Sequence, residues 1–140
     1  RSLRTRYSLD RFPSICHPSA SIASTASLAP GAVILQNAVV GARASVEMGV
    51  IINSGAVVEH ESVVGDFASL GPGAILGGRT RVGSRSAISL GAAVKHGVTI
   101  GADTVVGAGS YLHQDLEAQV VAFGIPAKIH TQRRPSDPYL

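Results

Sequence analysis

Residues 50–67 read VIINSGAVVEHESVVGDF, and this 18-residue stretch decides how the chain folds. Ile52, Val58 and Val64 stand six apart, and the same aliphatic step runs on in both directions. It starts at Ile22, passes Leu28, Ile34, Val40 and Val46, and continues through Leu70, Leu76, Val82, Ile88, Val94, Ile100 and Val106 to Leu112. All sixteen positions of the series are aliphatic, which makes the repeat the organising feature of the chain. Four residues after each hit comes a mostly small residue, as at Ala26, Ala32, Ala38, Ala44, Ala56, Ser62, Ala68, Ala74, Thr80, Ser86 and Ala92. Leu116 is the exception.

Six is neither a helical period nor that of a plain strand. The small residue and the next aliphatic are two apart, so both face one side of a short strand and the residue between them faces out. The remaining three residues turn a corner. Three such units, 18 residues, close one triangular coil of a parallel β-helix. Residues 22–117 supply a little over five coils, a prism on the order of 25 Å long at about 4.8 Å per coil. The expected class is therefore all-β. Residues 1–21 read as a lead-in segment, the remnant of an upstream domain. Residues 118–140 read as a C-terminal loop and tail, poorly ordered from Thr131 onward.

Composition narrows the function. Aromatics make up 4% of the chain and Gly contributes 16 residues, as a narrow prism with tight corners requires. The single Cys16 excludes an internal disulfide and suits a reducing compartment, so a cytoplasmic location is expected. No apolar run reaches membrane-spanning length and no signal peptide is visible. A net charge of +3 without an aromatic-plus-basic pattern gives no nucleic-acid footprint. Arg79, Arg81, Arg85, Lys95 and Lys128 are available to phosphates, while Arg1, Arg4, Arg6, Arg11, Arg133 and Arg134 sit in the termini.

The period sorts the outward residues onto three faces. Val33, Ile51, Ser69, Ala87 and Val105 line the first; Val39, Val57, Ile75, Ala93 and Tyr111 the second; Ser27, Ser45, Val63, Arg81 and Thr99 the third. Two faces are mostly apolar on the outside, a surface that soluble monomers avoid. A closed homo-oligomer follows, most simply a homotrimer of triangular prisms.

Chemistry concentrates at the corner between the second and third faces. It holds Gly41-Ala42-Arg43, Glu59-His60-Glu61, Gly77-Gly78-Arg79, Lys95-His96-Gly97 and His113-Gln114-Asp115, and within residues 22–117 no other corner column contains His. His60 and Gly78 are 18 apart and stack on adjacent coils, about 5 Å from each other. A general base beside a backbone N–H that no side chain can block is the minimum kit for acyl transfer. Glu59 and Glu61 flank the imidazole and can orient it. A zinc site needs three converging ligands at about 2.0–2.1 Å. His60 and His96 are two coils, about 10 Å, apart. His96 and His113 lack a third partner, so no metal is expected. Cys16 lies more than two coils, about 10 Å or more, from the level of His60, so a covalent acyl-enzyme on its sulfur is not expected.

Three further segments carry a resemblance. His17-Pro18-Ser19-Ala20 leads into the coils, Val57–Phe67 follows Val50-Ile51-Ile52-Asn53, and Gly124-Ile125-Pro126-Ala127-Lys128 follows the last coil. Over roughly residues 12–130 the chain resembles the hexapeptide-repeat acetyltransferases of the sialic acid O-acetyltransferase and bacterial nucleotide-aminosugar N-acetyltransferase family. The resemblance implies a left-handed parallel β-helix. It further implies acetyl-CoA as co-substrate and a sugar nucleotide as acceptor in glycan or polysaccharide biosynthesis. O-acetylation of sialic acid is the alternative activity, and a non-enzymatic solenoid scaffold the remaining one. Position by position, His60 matches the general base, Glu61 its supporting acid, and Asn53 a polar residue near the site. Gly78 matches the glycine whose N–H faces the thioester carbonyl. Leu90 and Ala108 fall where backbone groups bind the pantetheine arm, and Lys128 lies in the loop at the CoA end of the groove. Ser69 departs from the pattern, since relatives often carry His there to hold the acetyl group. The substrate-gripping N-terminal domain usual in such enzymes is a second departure, because only about 20 residues precede the first coil.

Overall fold

The computed structural model describes residues 11–138; Arg1, Arg4 and Arg6 lie outside them. Two-residue strands recur every six residues from Ile15–Cys16 to Tyr111–Leu112. They stack into three sheets of eight, six and five strands, parallel except for one C-terminal pairing. Partners are 18 apart, one coil above the other. Ser69 pairs with Ile51 and Ala87 on the first face, Ile75 with Val57 and Ala93 on the second, and Arg81 with Val63 and Thr99 on the third. This is the parallel β-helix that the hexad predicts.

The interior is the aliphatic series itself. Ile34, Ile52, Leu70, Leu76 and Ile88 are fully buried, with the small residues of each hexad packed between them. Hydroxyls occupy some of the small positions because the corners supply partners. Ser62 Oγ donates to the Gly77 carbonyl and accepts the Thr80 N–H, and Ser86 Oγ does the same with Gly101 and Thr104. Buried polar groups satisfied in this way cost little. Outside, Val39, Ile51, Ile75 and Tyr111 stay exposed in the single chain, whereas Val105 is buried.

Both ends differ from the expectation. Pairing begins at Ile15–Cys16, which lies on Val33–Ile34, one strand before Ile22. Cys16 is thus part of the first coil. At the far end the coil shortens to 16 residues, since Leu116 bridges Ile100 and Val105 pairs with Val121. That offset brings Leu116 into the core above Ile100, in the aliphatic position of the next hexad. The segment expected as loop and tail then forms a strand, Val120–Gly124, on the first face and folds back as Ala127–Gln132 in antiparallel pairing. Thr131 and Gln132 therefore belong to a strand, and the chain beyond them is held as well. Arg133 is buried and donates to the carbonyls of Asp103 and Asp137.

Asp103 receives a two-pronged bond from Arg85, at 2.8 and 2.7 Å. This bond holds its carboxyl below the ordinary value of 3.8, against the opposing effect of burial. A depressed carboxylate stabilises the fold above its unfolded pKa and loses that contribution as pH falls through the folded one. Urea unfolding measured from pH 6 downward should show stability falling below about pH 4, with a smaller fall in Asp103→Asn. An identical acid limb in the two proteins would assign the loss elsewhere.

Candidate active site

The second corner brings His60, Glu61 and Gly78 together. At the third position of this corner Arg43, Glu61, Arg79 and Gly97 adopt left-handed backbone, Glu61 with φ 59°. His60 Nδ1 lies 3.1 Å from Glu61 Oε2, and the imidazole is half exposed. Glu59 does not reach the ring; its carboxylate accepts a long 3.4 Å bond from the His60 backbone N–H. Of the two flanking carboxylates, Glu61 alone is the imidazole's partner.

The ring leans onto the next coil. A methyl group at Gly78 would stand 2.6 Å from His60 Cε1 and 3.0 Å from Cδ2, with Nε2 nearer still. Only glycine leaves room for the imidazole there. Gly78 accepts the Gly97 N–H at its carbonyl, and among the described residues nothing accepts its own N–H. With Nδ1 on the carboxylate, Nε2 is the ring nitrogen that lies over Gly78.

Arg43 closes the arrangement from the coil below, which the spacing did not foretell. Its guanidinium lies 3.1 Å from Glu61 Oε1. The bonds from His60 and Arg43, in that order, hold the Glu61 carboxyl below its ordinary 4.5. Residue spacing had placed Arg43 in the column, but whether a long side chain reaches along it is a rotamer question that a period does not answer.

The other predicted residues lie elsewhere in the chain. Asn53, Leu90 and Ala108 are at the corner between the first and second faces, separated from His60 by one strand and its turns, about 15 Å. Asn53 Oδ1 accepts the Ser54 N–H. Leu90 and Ala108 are exposed and stacked one coil apart, Gly109 donating to the Leu90 carbonyl. Among the described residues, no acceptor meets the N–H of either, so this edge offers a ladder of free donors. Lys128 joins the same edge. It pairs in register with Phe123, whose Cβ packs where a side chain at Gly107 would be, 2.6 Å away. Ser69 lies on the outside of the first face, remote from His60. The eight predicted residues thus divide into a base corner, a donor edge and one outlier, and a single chain does not unite them. Sequence reasoning also missed the Phe123–His130 stack beside Lys128, with ring centroids 3.5 Å apart, because nothing in the hexad foretells the hairpin that forms it. Among the described residues, no three His, Cys, Asp or Glu side chains gather as a metal site requires. No helix there is long and apolar enough to cross a membrane.

Comparison with known proteins bears on the fold and its kin. A family model described as the hexapeptide repeat of succinyl-transferase matches residues 32–65 and 73–114, more than half of the chain. The chain is similar to a point mutant of GDP-perosamine N-acetyl transferase from Caulobacter crescentus, solved with CoA and GDP-perosamine. They share 39% identity over 86% of this chain and 58% of that one, with a TM-score of 0.85. It is similar too to the acetyltransferase domain of PglB from Neisseria gonorrhoeae in complex with acetyl coenzyme A. There the identity is 34% over 85% of this chain and 58% of that one, with a TM-score of 0.84. WeeI from Acinetobacter baumannii shares the fold, at 22% identity and a TM-score of 0.80 over 82% of this chain and 57% of that one. This chain spans 58% of the length of the first two relatives. The hexad, the three stacked sheets and the match over both repeat segments agree: this chain belongs to the hexapeptide-repeat transferase family.

Proposed function

We propose that this chain is the β-helical part of an acetyl-CoA-dependent N-acetyltransferase that acts on the amino group of a nucleotide-linked amino sugar. The observation that carries the reading is the imidazole of His60, tied at Nδ1 by Glu61 and turned over Gly78. In this mechanism the neutral amine attacks the thioester carbonyl, His60 Nε2 takes the amine proton, and CoA leaves as the thiolate. The Gly78 N–H faces the oxygen on which negative charge develops. Glu61 keeps the imidazole oriented and stabilises its protonated form.

The donor edge fits the co-substrate. Leu90 and Ala108 offer backbone N–H groups one coil apart, suited to the amide-bearing pantetheine arm, and Lys128 supplies a cation at the end of that line. Since base corner and donor edge lie about 15 Å apart in one chain, they meet when the second corner of one prism faces the first corner of another. The homotrimer supplies that contact and covers the apolar outer faces. Asn53 would then stand near the acceptor. Ser69, on a different face, has no support as an acetyl-positioning residue within one chain.

A thiol-release assay with acetyl-CoA and a panel of UDP-, GDP- and TDP-linked 4-amino sugars tests the reading. Turnover on one of them is expected, and acetyl-CoA at a hundred times its Kd should stabilise the fold by about 2.7 kcal/mol. Turnover on free sialic acid alone would replace amine by hydroxyl as the acceptor. Silence throughout, together with an unchanged Tm, would remove the enzyme reading.

A further inference from the structure

The base corner contains one more ordered contact than acyl transfer by a His–Glu pair requires. Glu61 has two carboxylate oxygens, and they are bonded on opposite sides: Oε2 to His60 Nδ1 and Oε1 to the Arg43 guanidinium, each at 3.1 Å. Arg43 is 18 residues before Glu61, so it approaches from the coil beneath. Both residues hold the left-handed third position of the corner, Arg43 at φ 56° and Glu61 at φ 59°. Gly97 fills the same position two coils above Glu61. A side chain in this conformation costs roughly 1–2 kcal/mol that glycine avoids, so backbone preference alone would favour glycine at both places.

The contact contributes little to folding. The Arg43 and Glu61 side chains are 66% and 36% exposed, and such surface pairs contribute little to stability. What it restricts is rotation. A carboxylate held by the imidazole alone is free to swing, exchange its oxygens and release the ring to solvent. With Oε1 taken by a guanidinium anchored one coil below, Oε2 remains the oxygen that faces Nδ1. That fixed acceptor selects the tautomer with the proton on Nδ1 and leaves the Nε2 lone pair over Gly78.

We infer that Arg43 is a positioning residue: through Glu61 it sets the tautomer and direction of the His60 imidazole. The inference rests on the reading of His60 as the general base, and its decisive measurement does not depend on turnover. Long-range ¹H–¹⁵N correlation spectra of the histidine side chains, at a pH where His60 is neutral, report which ring nitrogen carries the proton. The wild-type chain is expected to show His60 as the Nδ1–H form. Arg43→Ala should shift it toward the Nε2–H form, Arg43→Lys should restore most of the Nδ1–H signal, and all should melt within about 2 °C of one another, as an exposed pair implies. An unchanged His60 signature in Arg43→Ala overturns the inference, and so does a shift in Arg43→Lys as large as in Arg43→Ala. If the thiol-release assay has found an acceptor, kcat should fall about tenfold in Arg43→Ala with KM for acetyl-CoA moved less than twofold, since part of the orientation on which a general base depends is lost. Absence of turnover in the wild type would count against the enzymatic reading, while the spectra still decide the role of Arg43.

Discussion

If His60 is the general base, replacing it by Ala is expected to lower kcat by about 10²–10⁴, the contribution of a positioned general base, while the prism stays folded. The side chain is half exposed at a corner, so its loss opens no cavity. Gly78→Ala serves as the companion variant. It keeps the backbone N–H but inserts a methyl 2.6 Å from His60 Cε1, so the imidazole must leave its place. Steady-state thiol release on both variants, beside sedimentation to check assembly, separates the roles. If both fall together, the position of the ring is what matters. If Gly78→Ala keeps its activity while His60→Ala loses it, the base tolerates displacement. Near-normal turnover in folded His60→Ala would remove His60 from the mechanism.

Gly71→Ala is expected to destabilise the fold by about 3 kcal/mol, the upper part of the usual overpacking range. Its Cβ would stand 2.7 Å from Leu90 N and 2.9 Å from Ser89 C, both backbone atoms of the adjacent coil. Backbone tied into the stack on both sides has nowhere to go: Gly71 N donates to Ile88 O, and Gly91 N donates to Pro72 O. Two residues on, Gly73 has φ 67° and nothing within 4 Å of its would-be Cβ. Gly73→Ala should therefore cost only about 1 kcal/mol, the penalty of left-handed backbone. Urea midpoints of the two variants decide the ranking, and equal losses would mean that the coils yield by small shifts in spacing.

The hexad made most of the fold legible because it records a geometric fact about each residue, inside or outside. Ser69 pairs with Ala87 and Ile75 with Ala93 where the count of 18 says they must. The same count paired His60 with Gly78. It fell silent after Leu112, where the spacing drops to 16 and Leu116 takes the aliphatic core position above Ile100 that a strict period assigns to Ala118. Val120–Gly124 and Ala127–Gln132 follow no hexad, so their hairpin left no periodic trace. Periodicity also locates residues without aiming them. Arg43 was visible in the corner column, but its bond to Glu61 depends on side-chain torsions. Asn53, Leu90 and Ala108 entered through resemblance to complete enzymes, and in one chain they fall on a different corner from His60.

Fixed 18-residue pairing also governs how the molecule comes apart. Every coil closes a loop of nearly the same length, so each addition meets about the same entropic resistance and gains about the same contacts. Such a chain behaves as a one-dimensional stack that loosens from its two tips inward. Among the described residues Ile22 and Leu28 are only partly buried, whereas the upper tip is tied by the hairpin and by Arg133. The tier bearing His60 and Glu61 lies in the interior of the stack, with further coils on both sides. Fraying at either end can therefore proceed while the His60 corner keeps its shape.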